Sequence, residues 1–223
     1  YTVSFYDEDG TSLLYSEEFE YGTVPKFNGT VPTKAADNTN TYEFAGWGKE
    51  FTAVQANQSY TAKYTATKIN YTVIFKNAEG QILQSNNTLG YGDSHIFNGT
   101  KPENYQDERY NYAFAGWDLV TNSDTNTGDG EVDIKEDGAV TVTGNATYVP
   151  AYTKTDRLYT VTWVVEGQEN VVESTYKYND TPAYPNVTPA KAATAQHTYT
   201  FDGWEPAITP VTTDNVAYTA KFS

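Results

Sequence analysis

Cysteine is absent from the chain. Disulfides and thiolate metal sites are thereby excluded, although secretion is not, because many secreted proteins manage without cysteine. Methionine is absent too, and the sequence starts on a strand-like pattern at Tyr1. We expect a segment of a longer protein, with any signal peptide or anchor outside it. No apolar run approaches the ~20 residues needed to cross a bilayer, so no membrane insertion is expected in this segment. Cations are scarce: 14 Lys and Arg stand against 29 Asp and Glu, a formal charge of −15. An acidic surface repels nucleic acid and anionic membrane, which are not expected as partners. Only His95 and His197 represent histidine, both in Pro- and Asn-rich connecting segments. No zinc-binding His pair, nucleophile elbow or phosphate loop occurs. No catalytic residue, no enzymatic activity and no cofactor are expected.

Aromatic residues are plentiful, at 15% of the chain with 20 Tyr. They supply the apolar area that a folded core needs, which argues against disorder. They also recur. Tyr42-Glu43-Phe44-Ala45-Gly46-Trp47 returns as Tyr112-Ala113-Phe114-Ala115-Gly116-Trp117 and as Tyr199-Thr200-Phe201-Asp202-Gly203-Trp204. Three copies of one pattern mean a tandem array, with repeat 1 at 1–66, repeat 2 at 67–155 and repeat 3 at 156–223.

Each copy opens on an alternating strand: Tyr1, Val3 and Phe5; Tyr71, Val73 and Phe75; Tyr159, Val161 and Trp163. Period-two placement of β-branched and aromatic residues marks a half-buried strand. Turns with Gly10, Gly80 or Gly167 follow, then a second strand over Leu13–Tyr21, Ile82–Tyr91 or Val171–Tyr178, which predicts an antiparallel hairpin. Gly22, Gly92 and Asn179 end that strand, residue types that tolerate a left-handed backbone. Proline-bearing segments come next and exclude a long helix. One helical turn is expected at Lys34-Ala35-Ala36 and at Lys191-Ala192-Ala193. The repeated hexapeptide is the third strand. The last is Tyr60–Tyr64, Tyr148–Tyr152 or Tyr218–Phe222, with Pro150 placing the middle copy's strand at an edge or bulge. Thr65–Asn70 and Thr153–Leu158 read as short polar linkers. The fold class is therefore mostly β with little helix, α+β at most.

Trp47 and Trp117 lie 70 residues apart, but Trp117 and Trp204 lie 87 apart. The excess is an acidic insertion at 118–145, whose second half predicts an added hairpin around Asp137-Gly138.

Together these features resemble the Listeria–Bacteroides repeat family, which includes the B repeats of internalin B. The resemblance rests on the opening strand, the Tyr-Gly step, the prolines, the Tyr-x-Phe-x-Gly-Trp core and the closing strand. It implies three tandem small β-grasp-like domains in an extended array, from a secreted, cell-surface or cell-wall protein of a bacterium. It implies no activity and carries over no catalytic residue. The insertion, Asn179 and Asp202 depart from the pattern.

Phe44, Gly46, Trp47, Phe114, Gly116, Trp117, Phe201, Gly203 and Trp204 are expected to anchor the cores, since units this small need large buried side chains. Aromatics found in one copy only, Tyr105, Tyr110 and Tyr184, are the ligand-binding candidates. Asp124, Asn126, Asp129 and Asp133 space hard oxygen ligands as a Ca²⁺ loop does. Gly128 at a ligand position and Lys135 at the closing one oppose this, and a solvated acidic loop is the expectation. Lys63 and Lys221, in the closing strands, are candidates for a Lys–Asn cross-link, but alternation points them away from the aromatic face, and a solubilising lysine on an exposed face is the expectation. The functional expectation is a non-catalytic extracellular spacer or stalk and interaction module, monomeric. The rival is an adhesin that binds a glycan or host protein.

Overall fold

A computed structural model describes residues 1–120, 133–168 and 171–223. Copy one contains β1 (Thr2–Tyr6), β2 (Leu13–Glu18), β3 (Asn40–Trp47) and β4 (Gln58–Lys68). Copy two contains β5 (Tyr71–Lys76), β6 (Ile82–Leu89), β7 (Ser94–His95), β8 (Tyr105–Gln106), β9 (Tyr110–Leu119), β10 (Ile134–Lys135), β11 (Val140–Thr141) and β12 (Ala146–Asp156). Copy three contains β13 (Leu158–Val164), β14 (Val172–Lys177), β15 (Phe201–Glu205) and β16 (Val216–Phe222). No helix occurs among the described residues.

Copies one and three form four-stranded sheets in the order 2-1-4-3. The hairpin pairs are antiparallel, while β1 runs parallel to β4 and β13 parallel to β16. Gly10, Gly80 and Gly167 take positive φ at the hairpin turns. The chain packs as two compact units. The first holds Tyr1–Gly99 with Asp137–Val149, and the second holds Thr100–Asp118 with Pro150–Ser223. The division passes through the middle copy rather than between copies.

The hydrophobic face of each opening strand builds the core. Val3, Phe5, Val73, Phe75, Val161 and Trp163 are completely buried, each such side chain contributing about 1.5–3 kcal/mol. One ring stack recurs across the parallel pair: Phe5 on Tyr60, Phe75 on Tyr148 and Trp163 on Tyr218, at 5.4, 5.3 and 5.1 Å. Where a helix would pack in an ordinary α+β domain, the crossover from second to third strand packs prolines: Pro25 and Pro32 in copy one, Pro182 and Pro189 in copy three, all buried.

Several sequence expectations need correction. Lys34–Ala36 and Lys191–Ala193 form no helical turn. Both lysines instead span outward to an acidic partner, Lys34 to Glu8 at 2.5 Å and Lys191 to Glu166 at 2.7 Å. The supposed linkers are largely strand. β4 continues to Lys68, paired with β3 as far as Asn40, and β12 continues to Asp156. Pro150 does meet a local edge: β12 lies between β5 and β9, but its pairing with β5 has ended before residue 150. The ring is accommodated because the parallel ladder with β5 stops at Tyr148, one pair earlier than in the other copies. The second half of the insertion is no hairpin either. β10 pairs antiparallel with β9 at Trp117 and Gly116, and β11 pairs with β7. Each half completes an existing strand, which is more stable in water than an isolated two-stranded hairpin.

Candidate functional site: the joints between copies and the Tyr105 shelf

A four-residue turn precedes the third strand of every copy. The backbone N–H of Asp37 donates to the Asn40 carbonyl at 3.0 Å, that of Asp107 to Tyr110 at 3.0 Å, and that of Thr194 to His197 at 2.9 Å. The side chain of the same first residue accepts the N–H groups on the far side of the turn. Asp37 takes those of Thr39 and Asn40, Asp107 those of Arg109 and Tyr110, and Thr194 those of Gln196 and His197. This use of short oxygen side chains is what makes Asp and Thr turn formers. The Tyr42 hydroxyl, ahead of Thr39 and the backbone donors, holds the Asp37 carboxyl far below the usual carboxylate range. Backbone N–H groups of Tyr110 and Arg109 lower that of Asp107. The bonded tyrosines respond oppositely, and Asp37 raises Tyr42 while Asp107 raises Tyr112.

Two of these turns receive the start of the next copy. The Ile69 N–H donates to the Thr39 carbonyl at 2.8 Å, and the Tyr71 hydroxyl to the Asn38 carbonyl at 2.9 Å. In the second unit the same pair of bonds joins Arg157 N–H to the Arg109 carbonyl at 2.8 Å and the Tyr159 hydroxyl to the Glu108 carbonyl at 2.6 Å. The second joint carries more charge. Arg157 Nη1 donates to the Asp107 carbonyl, the Arg109 guanidinium lies 5.6 Å from the Tyr178 ring, and Lys177 pairs with Asp156 at 2.5 Å. That ion pair raises Lys177, and a hydrogen bond to the Glu108 side chain raises Tyr178.

Over the third strand the copies diverge. Lys34 Nζ sits 4.1 Å above the Tyr42 ring and Lys191 Nζ 4.4 Å above Tyr199. In the middle copy the cover is Tyr105, stacked on Tyr112 at 4.4 Å and 7°. Its position follows from β8, a strand with no counterpart in the other copies, which pairs Tyr105 opposite Tyr112. Tyr152 meets it edge-on at 5.1 Å, and the Tyr105 ring remains 52% exposed. A shallow groove of about 440 Å³ borders this ribbon, lined also by Asn104, Gln106, Asn111 and Ala113.

The other candidates separate from it. Tyr110 lies under Lys154 Nζ at 4.2 Å and lines the second joint. Tyr184 is not specific to one copy in its role: it packs on Trp163 at 5.7 Å, where Phe27 packs on Phe5 and Phe97 on Phe75. Phe114, Gly116 and Trp117 are buried, whereas Phe44, Gly46, Trp47, Phe201, Gly203 and Trp204 are half-buried. Trp47 and Trp204 pack against Phe5 and Trp163 at 4.8 and 4.7 Å. Asp124, Asn126 and Asp129 lie outside the described residues. Asp133 donates its backbone N–H to the Trp117 carbonyl. Among the described residues no three His, Asp or Glu side chains are grouped to hold a metal. Lys63 is exposed, and Lys221 pairs with Glu205 at 2.6 Å.

Sequence reasoning missed a clasp common to all copies. Val54, Val142 and Val211 are buried, and their carbonyls accept from Gly22, Gly92 and Asn179. Their N–H groups return to Thr23, Asp93 and Asp180. A near-constant spacing ahead of Tyr60, Tyr148 and Tyr218 was the available signal, and Val142 was obscured by being assigned to the insertion.

No protein-family model and no curated protein matches the chain. Among solved structures it is similar to domains 3–4 of streptococcal high identity repeats in tandem from a cell surface protein. The identity is 12% and the TM-score 0.34, over 70% of this chain and 99% of that one.

Proposed function

We propose that the chain is a non-catalytic extracellular repeat array of the Listeria–Bacteroides kind, a spacer and interaction module of a bacterial cell-surface or secreted protein. The observation that carries this reading is the joint, built twice from the same two hydrogen bonds between the same structural positions. A flexible tether needs no such bonds, and a spacer that resists bending does. Among the described residues, Asp9, Asp37 and Asp107, whose carboxyls lie below the usual range, each accept backbone N–H groups of a turn. Replacing Tyr71 and Tyr159 together by Phe should leave every copy folded. Hydrogen exchange at the Ile69 and Arg157 amides should accelerate about fivefold to tenfold, one hydrogen bond's worth. Unchanged exchange at both amides would remove the support for a stiffened spacer.

A second reading, adhesion through a glycan or protein ligand, is favoured by Tyr105, which exposes a ring where the other copies place an ion-paired lysine. Tyr105→Lys restores the pattern of those copies and should preserve the thermal midpoint. Loss of adhesion to host cells in that variant supports a ligand at the shelf, and undiminished adhesion excludes one there.

A further inference from the structure

One tetrapeptide occurs twice, as Phe27-Asn28-Gly29-Thr30 and as Phe97-Asn98-Gly99-Thr100, and it holds the only two Asn-Gly steps of the chain. Packing demands the glycine. A Cβ at Gly29 would lie 2.7 Å from the Phe27 ring, and one at Gly99 2.7 Å from the Phe97 ring. Neither ring is free to yield, because each packs on the core aromatic of its opening strand, Phe27 on Phe5 at 5.0 Å and Phe97 on Phe75 at 5.1 Å. An Asn-Gly step is chemically fragile. Glycine has no side chain to obstruct the approach of its backbone nitrogen to the side-chain carbonyl carbon of the asparagine.

The fold treats the two steps differently. Asn28 Nδ2 donates to Glu17 Oε2 at 2.9 Å, and that oxygen also accepts the Tyr15 hydroxyl at 2.8 Å. The carboxamide is tethered, and the carboxylate beside it opposes an amide anion at Gly29. In copy two the strand register puts Gln84 where Tyr15 stands and Asn86 where Glu17 stands. Asn86 Oδ1 accepts the N–H and the hydroxyl of Thr88, both at 3.0 Å. Gln84 Oε1 accepts the backbone N–H of Asn98 at 2.8 Å, which fixes the backbone and leaves the carboxamide alone. Among the described residues the Asn98 side chain makes no hydrogen bond and the Gly99 N–H donates none, and both residues are exposed.

We propose that Asn98-Gly99 is a self-modification site, at which the Asn98 carboxamide cyclises onto the Gly99 nitrogen, and that Glu17 protects the matching step at Asn28. The Gly99 nitrogen loses its proton to hydroxide and bonds to Asn98 Cγ. The Cγ–Nδ2 bond breaks, and Nδ2 takes a proton from water and leaves as ammonia. Water then opens the five-membered imide at either carbonyl carbon, giving an aspartyl or an isoaspartyl residue. No oxidant or reductant is involved. The product carries a new negative charge, and its isoaspartyl form adds a methylene to the backbone beside the Phe97 ring. The inference is independent of the array reading.

The test ages the full chain in mildly alkaline buffer, folded and in urea, and maps its peptides by mass spectrometry. An isoaspartyl methyltransferase reports the rearranged linkage. The residues flanking the two steps are identical, so each is the other's control. In the folded chain Asn98 should convert at least about tenfold faster than Asn28, the worth of a hydrogen bond to a charged group. In urea the two rates should converge. Glu17→Ala should bring Asn28 to the rate of Asn98 while hydrogen exchange across β1 to β4 stays unchanged. Asn98→Gln should abolish conversion in its own peptide and leave Asn28 as it was. A folded chain in which Asn98 converts no faster than Asn28, or a difference that persists in urea, overturns the proposal. Asn28 remaining slow in Glu17→Ala overturns the protective role of Glu17.

Discussion

Replacing Trp163 by alanine is expected to unfold the third copy. Trp163 is completely buried and has rings on three sides: Trp204 at 4.7 Å, Tyr218 at 5.1 Å and Tyr184 at 5.7 Å. Its indole N–H donates to the Ser174 hydroxyl at 2.9 Å. Truncation removes the apolar contacts and leaves a cavity that stiff rings cannot collapse into, at about 3–5 kcal/mol. A core of this size supplies only about 3–5 kcal/mol in total. Hydrogen exchange should then show protection lost across β13 to β16 and kept across β1 to β4. Trp163→Phe is the internal control. Copies one and two carry Phe5 and Phe75 in that place, and the cost should fall to about 1.5 kcal/mol or less. Protection retained in the alanine variant would show that the core lies elsewhere.

Gly46→Val is expected to cost roughly 2–3 kcal/mol through the backbone alone. Ladder pairing skips a residue between Phe44 and Gly46, and again between Phe201 and Gly203, so the glycine closes a β-bulge in the third strand. Its φ is +107°, with +147° at Gly116 and +125° at Gly203. A Cβ at Gly46 or Gly203 would meet nothing within 4 Å, so a bend rather than a close approach demands glycine there. Those angles lie beyond the left-handed basin near +50 to +70° that asparagine tolerates. Gly22 has φ +81°, and Asn179 fills the same slot in copy three at +68°. Gly22→Asn should therefore shift the denaturation midpoint little, while Gly46→Asn should behave like the valine variant. Equal midpoints for Gly46→Val and the parent would refute the bulge argument.

The strands were legible because alternation of large apolar and small polar residues is a direct image of two-faced burial. The Phe-x-Gly-Trp element was legible as a repeat, but its rank in the core was not. In copies one and three the deepest ring belongs to the opening strand, at Phe5 and Trp163, while Trp47 and Trp204 are half-buried beside it. Periodicity gives a side chain's face and not its depth, which depends on what crosses above. The insertion was legible by length, but the partners of its two halves were not, because strand pairing depends on which edges the fold leaves open. The joints were least visible. Their acceptors are backbone carbonyls of Asn38 and Glu108, and a carbonyl has no residue identity to read. Only the tyrosine donors, Tyr71 and Tyr159, leave a mark in the sequence.

The parallel pairing of the first and last strands of a copy has a mechanical consequence. Tension on an array enters a copy at the start of β1 and leaves from the end of β4. Because these strands run side by side in the same direction, the pull slides one along the other. All hydrogen bonds of the ladder then bear the load together, whereas a hairpin pulled from its open end yields one bond at a time. Resistance to such force is governed by the unfolding rate rather than by equilibrium stability. Each copy is thus arranged to act as a shear clamp, holding under traction that its modest core would not suggest.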